Sequence, residues 1–152
     1  MHENQKVEIK IPSLSEYVGV VRLAASGIAN RLKFNHEEIE DIKIAVSEAC
    51  TNAVQYAYPG KLGEIEIVFV VKKDQLEVIV KDNGRGFDIN RPASGSENNP
   101  DLPEKVGLGL GITFMKSLMD EVEYDSEIGR GTIVKLVKYV YSTDAIEANS
   151  IN

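Results

Sequence analysis

The hydrophobic residues of this chain change period close to Pro59-Gly60, and that change limits the fold more than any other feature. Before it, apolar side chains recur every three or four residues. Tyr17, Val21, Ala24, Ile28 and Leu32 form one stripe, and Ile39, Ile42, Val46, Ala49, Ala53 and Tyr56 form a second. That is the spacing of helices that bury one face. After it, EIEIVFVV (64–71) and LEVIVK (76–81) are β-branched runs joined by the polar turn KKDQ, which predicts an antiparallel hairpin. A chain with both periods must pack helices against a sheet.

The flanking segments extend this frame. VEIKI (7–11) alternates like a short strand, and SLSE (13–16) offers a capping box, with Ser13 as N-cap and Glu16 three residues on, so the first helix is expected to start there. Asn35 with Glu38 repeats the pattern and opens the second helix. Residues 90–106, NRPASGSENNPDLPEKV, hold three of the five prolines together with Asn, Ser and Gly, and read as a loop. A loop of that length inside a small domain predicts a functional lid. A third helix is expected over 112–122 and a final strand over IVKLVKYVY (133–141), with a polar, flexible tail at 142–152. The predicted fold is an α/β (α+β) two-layer sandwich, helices on one face of a mostly antiparallel sheet, formed by a single domain over 1–141 with the lid at about 90–111.

Composition narrows the partners. A formal charge of -7 over 152 residues argues against direct binding to nucleic acid, which needs clustered Lys and Arg. The single cysteine, Cys50, cannot form an internal disulfide and reads as a small buried hydrophobe. No apolar run of about 18 residues is long enough for a membrane span, and MHENQKVEIK lacks the apolar stretch of a signal peptide. A cytoplasmic protein is expected. With only two histidines, His2 and His36, a metal would be held mainly by oxygen.

Four short segments carry candidate chemistry. On the second helix, Glu48 and Asn52 lie one turn apart on the flank of the apolar stripe. The strand LEVIVK runs directly into DNGRG, so Asp82 stands at a strand end with Gly84 and Gly86 beyond it, an arrangement that leaves backbone open to a ligand beside a carboxylate. GLGLGI follows the loop; its Gly107-x-Gly109-x-Gly111 spacing matches neither a dinucleotide fingerprint nor a P-loop. Unhindered amides feeding a helix N-terminus there would make an anion site. Gly131-Thr132 precedes the last strand.

In order and spacing, Glu48-x-x-x-Asn52, Asp82-x-Gly84-x-Gly86, Gly107-x-Gly109-x-Gly111 and Gly131-Thr132 resemble the nucleotide-binding motifs of the gyrase, heat-shock chaperone, histidine kinase and mismatch-repair (GHKL) ATPases. The stretches EYVGVVRLAASGIANRL, EEIEDIKIAVSEACTNAVQYAY and MDEVE are similar to the anti-sigma-factor serine kinases of the RsbW type, from the bacterial general stress response. The resemblance implies a Bergerat-type ATP-binding fold and a homodimer. It further implies that Asn52 holds a magnesium ion, that Glu48 takes the proton of an attacking serine hydroxyl, and that Asp82 accepts a hydrogen bond from adenine with Thr132 in support. Gly84 and Gly86 would let the backbone approach base and ribose. Gly107, Gly109 and Gly111 would close over the phosphates, with Lys105, and Arg85 as an alternative, as phosphate contacts. Arg22 is either a snorkelling surface arginine or a docking contact for a sigma factor or its antagonist.

The function so implied is an anti-sigma factor that sequesters a sigma factor and, as a serine-protein kinase, transfers the γ-phosphoryl of ATP to a serine of its antagonist, regulating transcription. The alternative is a stand-alone switch kinase of the same fold that phosphorylates a signalling scaffold and binds no sigma factor. Intact Glu48, Asn52 and Asp82 argue against a binding module without chemistry.

Overall fold

The computed structural model describes residues 4–88 and 102–141, the side chains of 102–108 excepted. Five strands form one antiparallel sheet in the order β1-β2-β3-β5-β4, built from β1 (Gln5–Pro12), β2 (Glu64–Val71), β3 (Gln75–Asp82), β4 (Glu121–Glu127) and β5 (Gly131–Tyr139). The helices are α1 (Val18–Ala29), α2 (His36–Tyr56) and α3 (Leu102–Leu118). Their buried residues join the inward side chains of the strands in one core, in which Phe69, Ile42, Ile65, Ile67, Leu76, Met115 and Leu136 are fully enclosed. The predicted two-layer α+β architecture is the observed one.

The most regular element is α2, which carries two of the candidate residues. Asn35 Oδ1 receives the Glu38 N–H at 2.8 Å, and Glu38 Oε1 receives the Asn35 N–H at 2.8 Å. This reciprocal capping box satisfies two of the donors that every helix start leaves open. Ile39, Ile42, Val46, Ala49 and Ala53 are buried as their spacing requires.

The entry to α1 departs from expectation. Ser13 caps nothing: its Oγ accepts the Gly63 N–H at 2.9 Å while its own N–H reaches the Gly63 carbonyl at 2.9 Å. A 3-10 turn over Ser15–Tyr17 follows before α1 begins. The buried face of α1 is Val18, Val21, Ala25 and Ala29, one step round from the predicted stripe, and Tyr17 is exposed. Two alanines on that face let α1 lie close on α2, and close packing outweighs the larger apolar residues.

The third helix and the strand after it also differ. α3 begins at Leu102 and stops at Leu118, and the residues expected to finish it, 119–122, lead into β4. Lys138 of β5 donates from Nζ to the Leu118 carbonyl at 2.5 Å and stands 3.7 Å from Asp41, so a cation fixes the helix C-terminus. β4 alternates Val122, Tyr124 and Ser126 inward with acidic residues outward. The loop residues 90–101 and the tail 142–152 lie outside the described residues.

Because the capping box is fully formed, Asn35→Ala is expected to lower unfolding free energy by about 1 kcal/mol, read as a shift in urea midpoint with unchanged slope.

Candidate functional site

One end of the site is set by α2 and α3. Asn52 is buried, and its Nδ2 has no hydrogen-bond partner among the described residues, while Glu48, one turn earlier, is half-buried. Gly111 of α3 is seated on both. A methyl group at Gly111 would lie 2.6 Å from Glu48 Oε2 and 2.9 Å from Asn52 Nδ2, so a side chain there would displace the Glu48 carboxylate. An unpaired buried amide costs about 1–3 kcal/mol, which makes Asn52 a place where a ligand fits. Turning the carboxamide about χ2 exchanges its two ends. It can therefore present a donor to a phosphate oxygen or an acceptor to a hard cation such as magnesium.

The other end is Asp82. β5 pairs with β3 so that Asp82 faces Thr132, and Asp82 Oδ1 accepts the Gly84 N–H at 2.9 Å and the Thr132 N–H at 3.3 Å. Both bonds land on Oδ1, which leaves Oδ2 for a ligand. Burial pushes the Asp82 carboxyl above the ordinary aspartate range, against the lowering effect of those two amides. Thr132 thus supports Asp82 through its backbone. Its hydroxyl pairs with Ser126 Oγ at 2.8 Å, and Ser126 Oγ in turn accepts the Phe87 N–H at 2.8 Å.

Where a side chain would start, the glycines of DNGRG meet the protein's own backbone. A methyl at Gly84 would overlap the carbonyl of Ala57, and one at Gly86, where φ is +64°, would overlap that of Glu127. The room is filled by the protein's own backbone. Arg85 reaches the end of α2: its Nε donates to the Tyr56 carbonyl at 3.0 Å and its backbone N–H to that of Ala57 at 2.8 Å.

Gly107, Gly109 and Gly111 fall inside α3, which begins at Leu102. Their amides therefore belong to the helical ladder and do not form an open N-terminus. A glycine costs a helix only about 1 kcal/mol, so the run does not stop the helix from extending across it. Nothing lies within 4 Å of a methyl placed at Gly109. The side chain of Lys105 and the surroundings of Gly107 lie outside the described residues. Arg22 is exposed on α1 and donates from Nε to Ser47 Oγ of α2 at 2.8 Å. Cys50 is fully buried, and burial pushes its thiol up to about 12, the state of a packing residue. Tyr58 and Ser126 belong to this end and were missed, because they bind backbone groups that no motif marks.

Comparison with known proteins supplies the family. The histidine kinase-like ATPase domain matches over residues 11–138, a span that contains every segment just described. Serine-protein kinase RsbW of Bacillus cereus (strain Q1) is 43% identical over 146 residues, covering 92% of this chain and 88% of that protein. The chain belongs to the RsbW serine-protein kinases, within the histidine kinase-like ATPase family. The fold of this RsbW-family chain is shared with solved structures at low identity. It matches a Mycobacterium tuberculosis protein with RsbU and RsbW domains at a TM-score of 0.66 and 19% identity, covering 90% of this chain and 32% of that one. A histidine kinase domain of Erythrobacter litoralis matches at a TM-score of 0.53 and 24% identity, over 91% of this chain and 66% of the other.

Gly111→Ala is the direct test of the α2–α3 contact in this RsbW-family kinase. The atom a methyl would meet first is the mobile end of Glu48, so the helix should remain folded and gain about 1 kcal/mol from losing a glycine. Displacing that carboxylate by about 1 Å should lower phosphoryl transfer about 100-fold. Full activity alongside a raised melting temperature would remove Glu48 from the reaction.

Proposed function

We propose that this chain is an anti-sigma factor and serine-protein kinase: it sequesters a sigma factor, and it transfers the γ-phosphoryl of ATP to a serine of a small antagonist, regulating transcription in a bacterial stress response. The observation that carries the reading is the buried Asn52, its Nδ2 without a partner among the described residues, beside Glu48 under Gly111, in a chain 43% identical to an RsbW serine-protein kinase. The chain is read as a cytoplasmic homodimer that contacts neither nucleic acid nor membrane directly; among the described residues no helix is long and apolar enough to cross a membrane.

In this reading the base end and the phosphate end divide the work. Asp82 Oδ2 accepts the adenine amino group, a contact that guanine, with a carbonyl at that position, cannot make. Asn52 holds magnesium, which neutralises phosphate charge when bound. The serine oxygen attacks the γ-phosphorus, the bond to the β,γ-bridging oxygen breaks, ADP leaves, and the serine proton passes to Glu48. Lys105, Gly107, Gly109 and Gly111 lie along the phosphates, Gly84 and Gly86 shape the loop under the base, and Thr132 holds Asp82. Arg22, fixed by Ser47 between α1 and α2, is offered to the protein partners.

The deciding experiment is a pull-down from host lysate with magnesium and ATP, with mass spectrometry of bound proteins and detection of phosphoserine. A sigma factor together with a phosphorylated small antagonist is the expected result; a phosphorylated scaffold without a sigma factor under either ATP or ADP would overturn the anti-sigma assignment.

Two variants separate the roles. Glu48→Ala should bind ATP normally yet lose about 10²–10⁴-fold in phosphoryl transfer, whereas Asp82→Asn should bind no measurable ATP by calorimetry. The raised Asp82 pKa sets a pH dependence. The acceptor is present above the folded-state pKa and is lost as pH falls through it, so ATP affinity should begin to weaken at a pH above the ordinary aspartate range. Affinity that holds down to that range would contradict the contact.

A further inference from the structure

Two side chains, those of Tyr58 and Arg85, fasten the Asp82 loop to the end of α2. Tyr58 Oη accepts the Asn83 N–H at 2.8 Å and donates to the Glu64 carbonyl at 2.7 Å, so one hydroxyl ties the residue after Asp82 to the start of β2. The ring of Tyr58 lies against Gly63, where a methyl group would strike it, and the hydroxyl is thereby fixed in place. Arg85 grips the other side. Its Nε donates to the Tyr56 carbonyl and its N–H to that of Ala57, while its own carbonyl receives the Gly129 N–H at 2.8 Å. The last carbonyls of a helix have no partners within it and attract a cation, which is why the guanidinium binds there. Asp82 Oδ1, in contrast, is held by backbone amides alone, those of Gly84 and Thr132. The position of one of those amides follows from where residues 83–85 are anchored.

We infer that Tyr58 and Arg85 are positioning residues for base recognition: by clamping residues 83–85 to the C-terminal end of α2, they fix the span from Asp82 to Asn52 and so make the site selective for a purine with a 6-amino group. The inference rests on Asp82 being the adenine contact, and it places specificity in two side chains that do not touch the nucleotide.

The test uses the full chain and two nucleotides, ATP and purine riboside 5′-triphosphate, which lacks the 6-amino group. Calorimetry gives the ratio of their dissociation constants, and phosphorylation kinetics give KM and kcat. The wild type should prefer ATP about tenfold or more, the effect of one hydrogen bond to a charged group. Tyr58→Phe keeps the ring and should weaken ATP about three- to tenfold, leave the analogue unchanged, and raise KM with kcat within about twofold. Arg85→Ala should do the same, and Arg85→Lys, which keeps the cation, should restore part of the preference. The inference is overturned if both Tyr58→Phe and Arg85→Ala keep the wild-type ratio, or if they lose affinity for the two nucleotides equally, as a general loosening would produce. A wild type without preference would overturn the adenine reading of Asp82 beneath it, a different result from preserved selectivity in the variants.

Discussion

The carbonyl of Ala57 receives the Arg85 N–H at 2.8 Å, and Gly84 passes so close beside it that no side chain fits between. This joint connects the two halves of the site. On one side stands α2, with Glu48 and Asn52; on the other, the loop that begins at Asp82. Asn52 and Ala57 are five residues apart, about 7.5 Å along a helix axis. Packed interiors transmit displacement with little give, so the position of this joint sets the distance between Asp82 and the pair Glu48 and Asn52, and, in the proposed reading, whether base and phosphates can be met at once. The rest of the fold supports it from both sides.

Support from the sheet comes through strand order. β5 lies between β3 and β4, which brings Thr132 beside Asp82 from 50 positions away. It also brings Ser126 of β4 within reach of the Thr132 hydroxyl and the Phe87 amide. Support on the helical side comes from α3, whose C-terminus is held by Lys138 of β5 and whose Gly111 rests on Glu48 and Asn52. A single strand therefore positions both ends: Thr132 near its start holds Asp82, and Lys138 near its finish anchors the helix that rests on Glu48 and Asn52.

What the sequence displayed was what depends on near neighbours. The α2 capping box and stripe, and the β2–β3 hairpin, are local patterns, and they appear where the spacing puts them. β4 was hidden because its outward positions are Glu and Asp, which are depleted in strands and mask the Val and Tyr between them, directly after a helix whose stop depends on Lys138, 20 residues away. Ser13 and α1 misled for the same reason, since Gly63 takes the serine 50 residues along the chain. At the site, Glu48, Asn52 and Asp82 stood out as chemical groups in suggestive places. Their supports did not. A glycine pattern does not reveal whether a ligand or the protein fills the space it leaves, and the hydroxyl of Tyr58 bonds only to backbone.

Asn52 is the residue least explained by stability. It occupies a buried position on a capped helix whose other buried residues are apolar, opposite a glycine in a neighbouring helix. Both features cost the fold: an unpaired buried amide about 1–3 kcal/mol and a mid-helix glycine about 1 kcal/mol. Alanine at both positions would remove both penalties, but would push the flexible end of Glu48 aside. The two penalties fall at the same point, where an oxygen from a bound group would satisfy the amide and the missing methyl leaves room beside the carboxylate. Local departures from an otherwise consistent design concentrate at functional sites, and a ligand that satisfies such a group in the folded chain alone stabilises the fold by mass action. In the proposed reading, stability and nucleotide binding are coupled through one carboxamide.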